Sequence, residues 1–169
     1  MTQRSTQQTL PLVYACSGCS SVAQLANDCA VQLDRQGRAQ MSCISGVGGG
    51  VVPLVRLAQS GRPILALDGC ALACVSACLD KVGVVPDRHL ILNQHGAKKR
   101  LHADAGEEES QRAWQVVEAA LEELGAVDDL LPDHVSSDLG PLHEQSQHLL
   151  PRPVGGERGV EAVRATELE

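Results

Sequence analysis

The sequence predicts an α/β protein of three layers, a flavodoxin-like (Rossmann-like) arrangement with four mainly parallel strands in the order 2-1-3-4 and helices on both faces. Three observations predict it. Short runs rich in Val, Ile and Leu alternate with longer segments of helical periodicity, the pattern of βαβ units. Glycine or proline punctuates most of the transitions. Crossovers between parallel strands are right-handed almost without exception, which leaves few ways to arrange four of them.

Each element follows in order. Leu10 to Ala15 is a short apolar run containing Val13 and Tyr14, suited to a buried strand. From Ser20 to Gln36 apolar residues recur at Val22, Leu25, Ala26, Cys29, Ala30 and Leu33, one face of a helix that Gly37 ends. Ala39 to Ile44 reads as the second strand. Gly46, Gly48, Gly49 and Gly50 turn the chain into a second helix over Val51 to Gln59, closed by Gly61. Pro63 to Leu67 is the third strand, followed by Asp68-Gly69 and a third helix over Ala71 to Lys81, ended by Gly83 and Pro86. His89 to Asn93 is the fourth strand, and Glu107 to Leu124 the longest helix, ended by Gly125. The expected organisation is therefore a disordered N-terminus (1–9), one cysteine-rich α/β domain (10–125) and an acidic, mostly disordered tail (126–169) in which Pro132, Pro141, Pro151 and Pro153 interrupt any pattern.

Composition narrows the function. Hydrophobic residues make up 43% of the 169, but aromatic residues only 1%, with no Phe and with Tyr14 and Trp114 as the sole examples. The core must then be Val, Leu, Ile and Ala, which bury less area each than aromatic rings; a bound metal is one way to supply the missing stability. No apolar run is long enough to span a bilayer, and Met1 to Thr9 lacks the hydrophobic stretch of a signal peptide, so a cytoplasmic protein without membrane association is expected. In that reducing compartment the 7 cysteines are expected to be ligands, reactive thiols or packing residues rather than disulfides. Net charge is −7, and the tail from Ala126 carries nine acidic and three basic residues, which leaves the rest close to neutral. No basic face suits nucleic acid; Lys98-Lys99-Arg100 reads as a solvated turn.

The cysteines carry the main signal. Cys16-Ser-Gly-Cys19, Ser42-Cys43 and Asp68-Gly69-Cys70 each fall at the end of a predicted strand. In a parallel sheet all strand carboxyl ends lie at one edge, where such folds place their sites, so cysteine groups distant in sequence are expected to meet there. Cys16 and Cys19 have the spacing with which two thiolates grip one metal, and the helix that follows favours the thiolate form. Cys70, Cys74 and Cys78 recur every fourth residue, one stripe if all are helical. Cys70 and Cys78 would then be about 12 Å apart along the axis. Two sulfurs on one zinc lie only about 3.8 Å apart, so these two cannot share an ion on an unbroken helix. Either Cys70, with or without Cys74, joins Cys16 and Cys19 near Cys43, or there are two sites. Cys78 lies among Leu72, Val75 and Leu79, which read as packing surface, and Cys29 reads as a small buried hydrophobe. Asp68 reads as a helix cap, His95 as a turn histidine close to the cysteine edge, and His89 and His102 carry no signal.

Several other chemistries fail on spacing. The glycine run lacks the Lys-Ser/Thr of a P-loop and has Val51 where a dinucleotide fingerprint needs its third glycine, so it reads as a tight strand-to-helix turn. A phosphatase-like loop starting from Cys16 would need Arg where Val22 stands. No Ser-His-Asp arrangement can be picked out.

These motifs resemble the DGC domain family: Cys16-Ser-Gly-Cys19-Ser20, Met41-Ser42-Cys43-Ile44-Ser45-Gly46-Val47-Gly48-Gly49 and Asp68-Gly69-Cys70-Ala71-Leu72-Ala73-Cys74 stand in family order over roughly Leu12 to Leu124. The family is described as zinc-binding through cysteines and has no established biochemical role. The resemblance implies Cys16, Cys19, Cys70 and Cys74 as ligands, with Cys43 and Cys78 as further candidates. It often has Pro where Ala71 stands, which fits a helix beginning there.

Three functions compete. Zinc binding, structural or for metal handling and sensing, predicts a colourless protein destabilised by chelators. An iron–sulfur cluster for electron transfer or sensing predicts brown protein. A thiol oxidoreductase using Cys16 and Cys19 predicts a depressed Cys16 pKa and no stoichiometric metal. Four thiolates fill a tetrahedral zinc and leave no position for substrate, so a structural zinc is expected rather than an enzyme's. The partners expected are a metal ion and an unidentified protein.

Overall fold

The computed structural model describes residues 10–128, with side chains to 125; the predicted disordered N-terminus and nearly all of the predicted acidic tail lie outside the described residues. Four parallel strands form one sheet in the order β2-β1-β3-β4, as predicted. The two central strands are β1 (Leu12–Ala15) and β3 (Ile64–Asp68), every residue of which is buried. Each is a continuous run without polar alternation, apart from Asp68, because helices cover both of its faces. They pair in register from Leu12 opposite Ile64 to Ala15 opposite Leu67. The edge strands β2 (Gln40–Met41) and β4 (Arg88–Ile91) are only partly buried.

Helix α1 (Ser21–Arg35) buries the predicted stripe of Val22, Leu25, Ala26, Cys29, Ala30 and Leu33. It packs against α5 (Glu107–Asp128), whose three leading glutamates complement the positive end of the helix dipole. On the other side α2 (Ile44–Gly48) packs against α3 (Val52–Ala58) and α4 (Cys74–Asp80). The result is three layers. Among the described residues no helix is long and apolar enough to cross a membrane.

Several boundaries depart from the sequence reading. The second strand stops at Met41 instead of reaching Ile44. Ser42 N still donates to Val13 O (3.1 Å), after which the chain turns at Cys43 and winds into α2. The glycines expected to make a turn are partly inside that helix, where each costs about 1 kcal/mol relative to Ala. Packing explains them. A Cβ on Gly46 would stand 2.1 Å from Leu54 Cδ1, and one on Gly48 would stand 2.7 Å from Cys78 Sγ. Close approach of α2 to its neighbours therefore overrides helix propensity, and the reversal itself falls at Gly50, at φ 74°.

The third predicted helix begins three residues late, at Cys74. Cys70 to Ala73 form a turn closed by Ala73 N donating to Cys70 O (3.0 Å), and Ala73 sits in the left-handed region at φ 48°. Cys70 is thus off the helix. The three-cysteine stripe does not exist, and the axial distance between Cys70 and Cys78 no longer restrains them. The last helix runs through Gly125 to Asp128, and the fourth strand gives way after Ile91 to a 3₁₀ turn over Leu92–His95.

Candidate metal centre

The parallel sheet delivers its strand ends to one edge, and with them the cysteine motifs. Cys16 follows β1 directly. Its N–H extends the ladder to Leu67 O (3.0 Å), and its sulfur accepts the Gly69 N–H at 3.1 Å. Cys43 follows β2 by two residues and Cys70 follows β3 by two.

Asp68 organises this edge. Its carboxylate is 1% exposed and accepts the N–H groups of Val75 (3.0 Å) and Ser76 (3.4 Å), the second and third residues of α4. The predicted capping role therefore holds, but the cap reaches in from the strand end while Ala73 occupies the cap position. The same carboxylate meets His89 Nε2 at 2.9 Å. Sequence reasoning missed His89. The register opposes Ala66 to His89 and Asp68 to Ile91, so His89 leans over Asp68 from the neighbouring strand on the same sheet face. That register was not legible in a sequence whose fourth strand is placed one residue late.

Gly69 has a different task. A Cβ there would lie 2.5 Å from the carbonyl carbon and oxygen of Val22 and 2.7 Å from Ala23 N. The first turn of α1 presses directly on this backbone, and only glycine leaves room for it.

The strap Lys98-Lys99-Arg100, read from the sequence as a solvated turn, is instead anchored. Ser21 Oγ donates to Lys98 O (2.9 Å) and accepts from Arg100 N (3.0 Å), and Ser21 N donates to Arg100 O (2.9 Å). The Arg100 guanidinium grips Glu109 with contacts of 2.7 and 3.0 Å, and Glu109 also accepts the N–H groups of Lys98 and Gly106. This arginine, with those backbone donors, holds the Glu109 carboxyl well below the usual range, at about 2. The strap brings Lys99 Nζ to 3.3 Å from Cys70 Sγ.

The cysteines separate into distinct environments. Cys16 is buried, and burial pushes its thiol up to about 11, against the lowering effect of the Gly69 N–H; the nearby Asp68, Cys74 and Cys70 raise it further. The helix end expected to favour a Cys16 thiolate is outweighed. Asp68, Cys74 and Cys70 are thus each close enough to act electrostatically on Cys16. Cys70 is partly buried and Cys74 exposed. Cys19 and Cys43 are exposed too, Cys19 just before α1 and Cys43 at the start of α2. Cys78 lies one turn farther along α4 than Cys74, with its sulfur against Gly48 in the contact with α2. Cys29 is buried in α1 with its thiol pushed up to about 11 by burial, as a packing residue should be. His95 stands exposed on the 3₁₀ turn.

For a metal, the donor chemistry fits and the spacing is incomplete. Sulfur donors from separate segments at one sheet edge suit zinc. Yet among the described residues no three His, Cys, Asp or Glu side chains are grouped closely enough to hold an ion. For Cys16, Cys19, Cys70 and Cys74 to share an ion, the exposed Cys19 and Cys74 would have to swing towards the other two, since no cage is preassembled among the described residues.

Comparison with known proteins agrees with the motifs. The DGC domain matches residues 12–117. A similar protein is the anaerobic and virulence modulator AnvM of Pseudomonas aeruginosa, 58% identical over 121 residues that span 72% of this chain and 92% of the relative. No solved structure matches. With its Cys-x-x-Cys, Ser-Cys and Asp-Gly-Cys segments on the carboxyl edge of a 2-1-3-4 sheet, and with this match over most of the described residues, the chain belongs to the DGC domain family.

Proposed function

We propose that this chain is a cytoplasmic zinc-binding protein with a structural or sensing role, its metal held by the thiolates of Cys16, Cys19, Cys70 and Cys74. Cys43 is the alternative donor if one of these stays out. Cys78 has the weakest claim of the candidates because its sulfur fills the contact between α2 and α4. The observation that supports the reading is the approach of two cysteine segments at the carboxyl edge of the sheet, where Gly69, next to Cys70, donates its N–H to Cys16 Sγ at 3.1 Å, with Cys19 three residues beyond Cys16. Deprotonation of Cys16 on metal binding offsets the burial that disfavours its free thiolate, so affinity falls as pH drops. Four thiolates leave no open coordination position, which suits a regulator better than a catalyst. The relative named as a modulator is consistent with that role, exerted through an unidentified protein partner.

A thiol oxidoreductase with Cys16 as nucleophile fares worse, since burial holds its thiol high instead of low. Iron is the remaining competitor, because sulfur ligands alone do not select against it. Elemental analysis and a visible spectrum of anaerobically purified full-length protein test the reading. The expected result is about one zinc per chain and no visible band, with zinc lost in Cys16→Ser and Cys70→Ser and kept in Cys29→Ala. Brown protein containing iron, or metal-free protein, overturns it.

A further inference from the structure

We propose that the strap and the acidic turn after it, residues 98–108, form a docking surface for a second copy of this chain, with the two copies related by a two-fold axis close to Leu101. The charges on this surface are unspent. Lys98 and Lys99 are exposed, as are Asp104, Glu107 and Glu108. Glu109 brings the two runs together, because its carboxylate accepts the N–H of Lys98 at 3.2 Å and that of Gly106 at 3.1 Å. Glu109 itself is taken up by Arg100. Among the described residues none of the five exposed charges enters an ion pair, although the basic and acidic runs abut.

Between these runs Leu101 is 58% exposed while its backbone is fixed by an antiparallel bridge to Ser20. Lys99 Nζ lies 3.3 Å from Cys70 Sγ, which sets the turn that carries Leu72, 71% exposed, beside the strap. An apolar centre with a charged rim is the make-up of a protein interface. The layout selects the occupant. A polyanion would meet Glu107 and Glu108, and a polycation would meet Lys98 and Lys99. A second copy turned through 180° sets its acidic run against the lysines and its lysines against the acidic run, with Leu101 against its own equivalent, the self-complementarity of an isologous contact. Ser21 and Glu109 already hold the strap, so docking orders little that is not ordered beforehand.

The test uses full-length protein in reductant and chelator, so that neither disulfides nor metal bridges between exposed cysteines contribute and the zinc reading stands or falls separately. Analytical ultracentrifugation should show a monomer–dimer equilibrium that weakens when salt rises from about 0.1 M to about 1 M, as the screening length falls from about 10 Å to about 3 Å. Leu101→Asp should raise the Kd at least about tenfold, as loss of a central anchor does. Arg56→Glu, exposed on α3, should leave it unchanged. The double variants Lys98→Glu/Lys99→Glu and Glu107→Lys/Glu108→Lys should each be monomeric alone and form a mixed dimer when combined, read by native mass spectrometry; that recovery also shows both to be folded. A chain that stays monomeric up to about 1 mM, a dimer indifferent to Leu101→Asp, or double variants with wild-type circular dichroism that do not associate on mixing overturns the proposal.

Discussion

Adding one methyl group at Gly69 should damage the protein more than any comparable change on this edge. The new Cβ would sit 2.5 Å from the carbonyl carbon and oxygen of Val22, about 0.9 Å inside the 3.4 Å at which ordinary contact begins. The clash is with backbone, so no side-chain rotation relieves it. The first turn of α1 cannot simply retreat either, because Ser21 binds it to the strap at residues 98–100 and Val22 is fully buried. On the other side, Gly69 N is committed to Cys16 Sγ and Gly69 O to Asn93 N. Overpacking a core costs about 1–3 kcal/mol, and a clash between two anchored backbones belongs at the upper end. For a chain of this length, about 3 kcal/mol lowers Tm by roughly 10 °C. Thermal melts of wild type and Gly69→Ala followed by far-UV circular dichroism measure it. Gly125→Ala is the control: that glycine is helical with nothing within 4 Å, so alanine there should stabilise by about 1 kcal/mol. A Gly69→Ala protein that melts within about 2 °C of wild type, well under 1 kcal/mol, would falsify the packing argument.

Three further outcomes follow from the same geometry. Asp68→Ala strips the buried Val75 amide, the partly buried Ser76 amide and His89 of their acceptor and should cost about 3 kcal/mol in urea denaturation. Ala73→Gly removes a left-handed alanine at φ 48° and should raise stability by about 1 kcal/mol, read as a higher urea midpoint at unchanged m. Glu109 has a folded pKa of about 2 against 4.5 unfolded, so its contribution is complete above the unfolded value and disappears as pH falls through the folded one. The stability gap between wild type and Glu109→Gln should therefore be full at neutral pH and close on acidification between those two values; a gap that widens in acid refutes the assignment.

The sheet was readable from the sequence because its determinants are local. Runs such as Leu12-Val13-Tyr14-Ala15 and the stripe from Val22 to Leu33 announce strand and helix by period alone, and right-handed crossovers then order the strands. What could not be read was set by contacts across the fold. Nothing local says that Gly46 and Gly48 are helical, since their reason lies in Leu54 and Cys78. Nothing local delays α4 to Cys74, since the cap comes from Asp68 on another element. Lys99 looked like part of a charged turn because its anchor is Ser21, far away in sequence. The cysteines were expected to meet at one edge; parallel strands bring Cys16, Cys43 and Cys70 to the strand carboxyl ends, but among the described residues no three potential ligands are grouped there. Their final separations depend on turns whose conformation spacing does not encode.

The Asp-Gly-Cys motif thereby divides into two jobs. Asp68 and Gly69 are buried, and both are spent on architecture, one capping α4 and the other admitting α1. Cys70 is only partly buried against the core, on the turn outside α4, and its sulfur accepts a hydrogen bond from the strap's Lys99. A side chain only partly committed to packing, placed by two buried neighbours that hold the fold, is what a ligating position requires. The division has a measurable form. Variants at Asp68 and Gly69 should lose stability and chemistry together. With both proteins metal-free, Cys70→Ser should melt within about 1 kcal/mol of wild type, as changes at partly exposed positions do, while its ability to take up metal is lost. If metal-free Cys70→Ser instead unfolds as readily as Gly69→Ala, the sulfur is a packing group and the ligand role proposed for it falls.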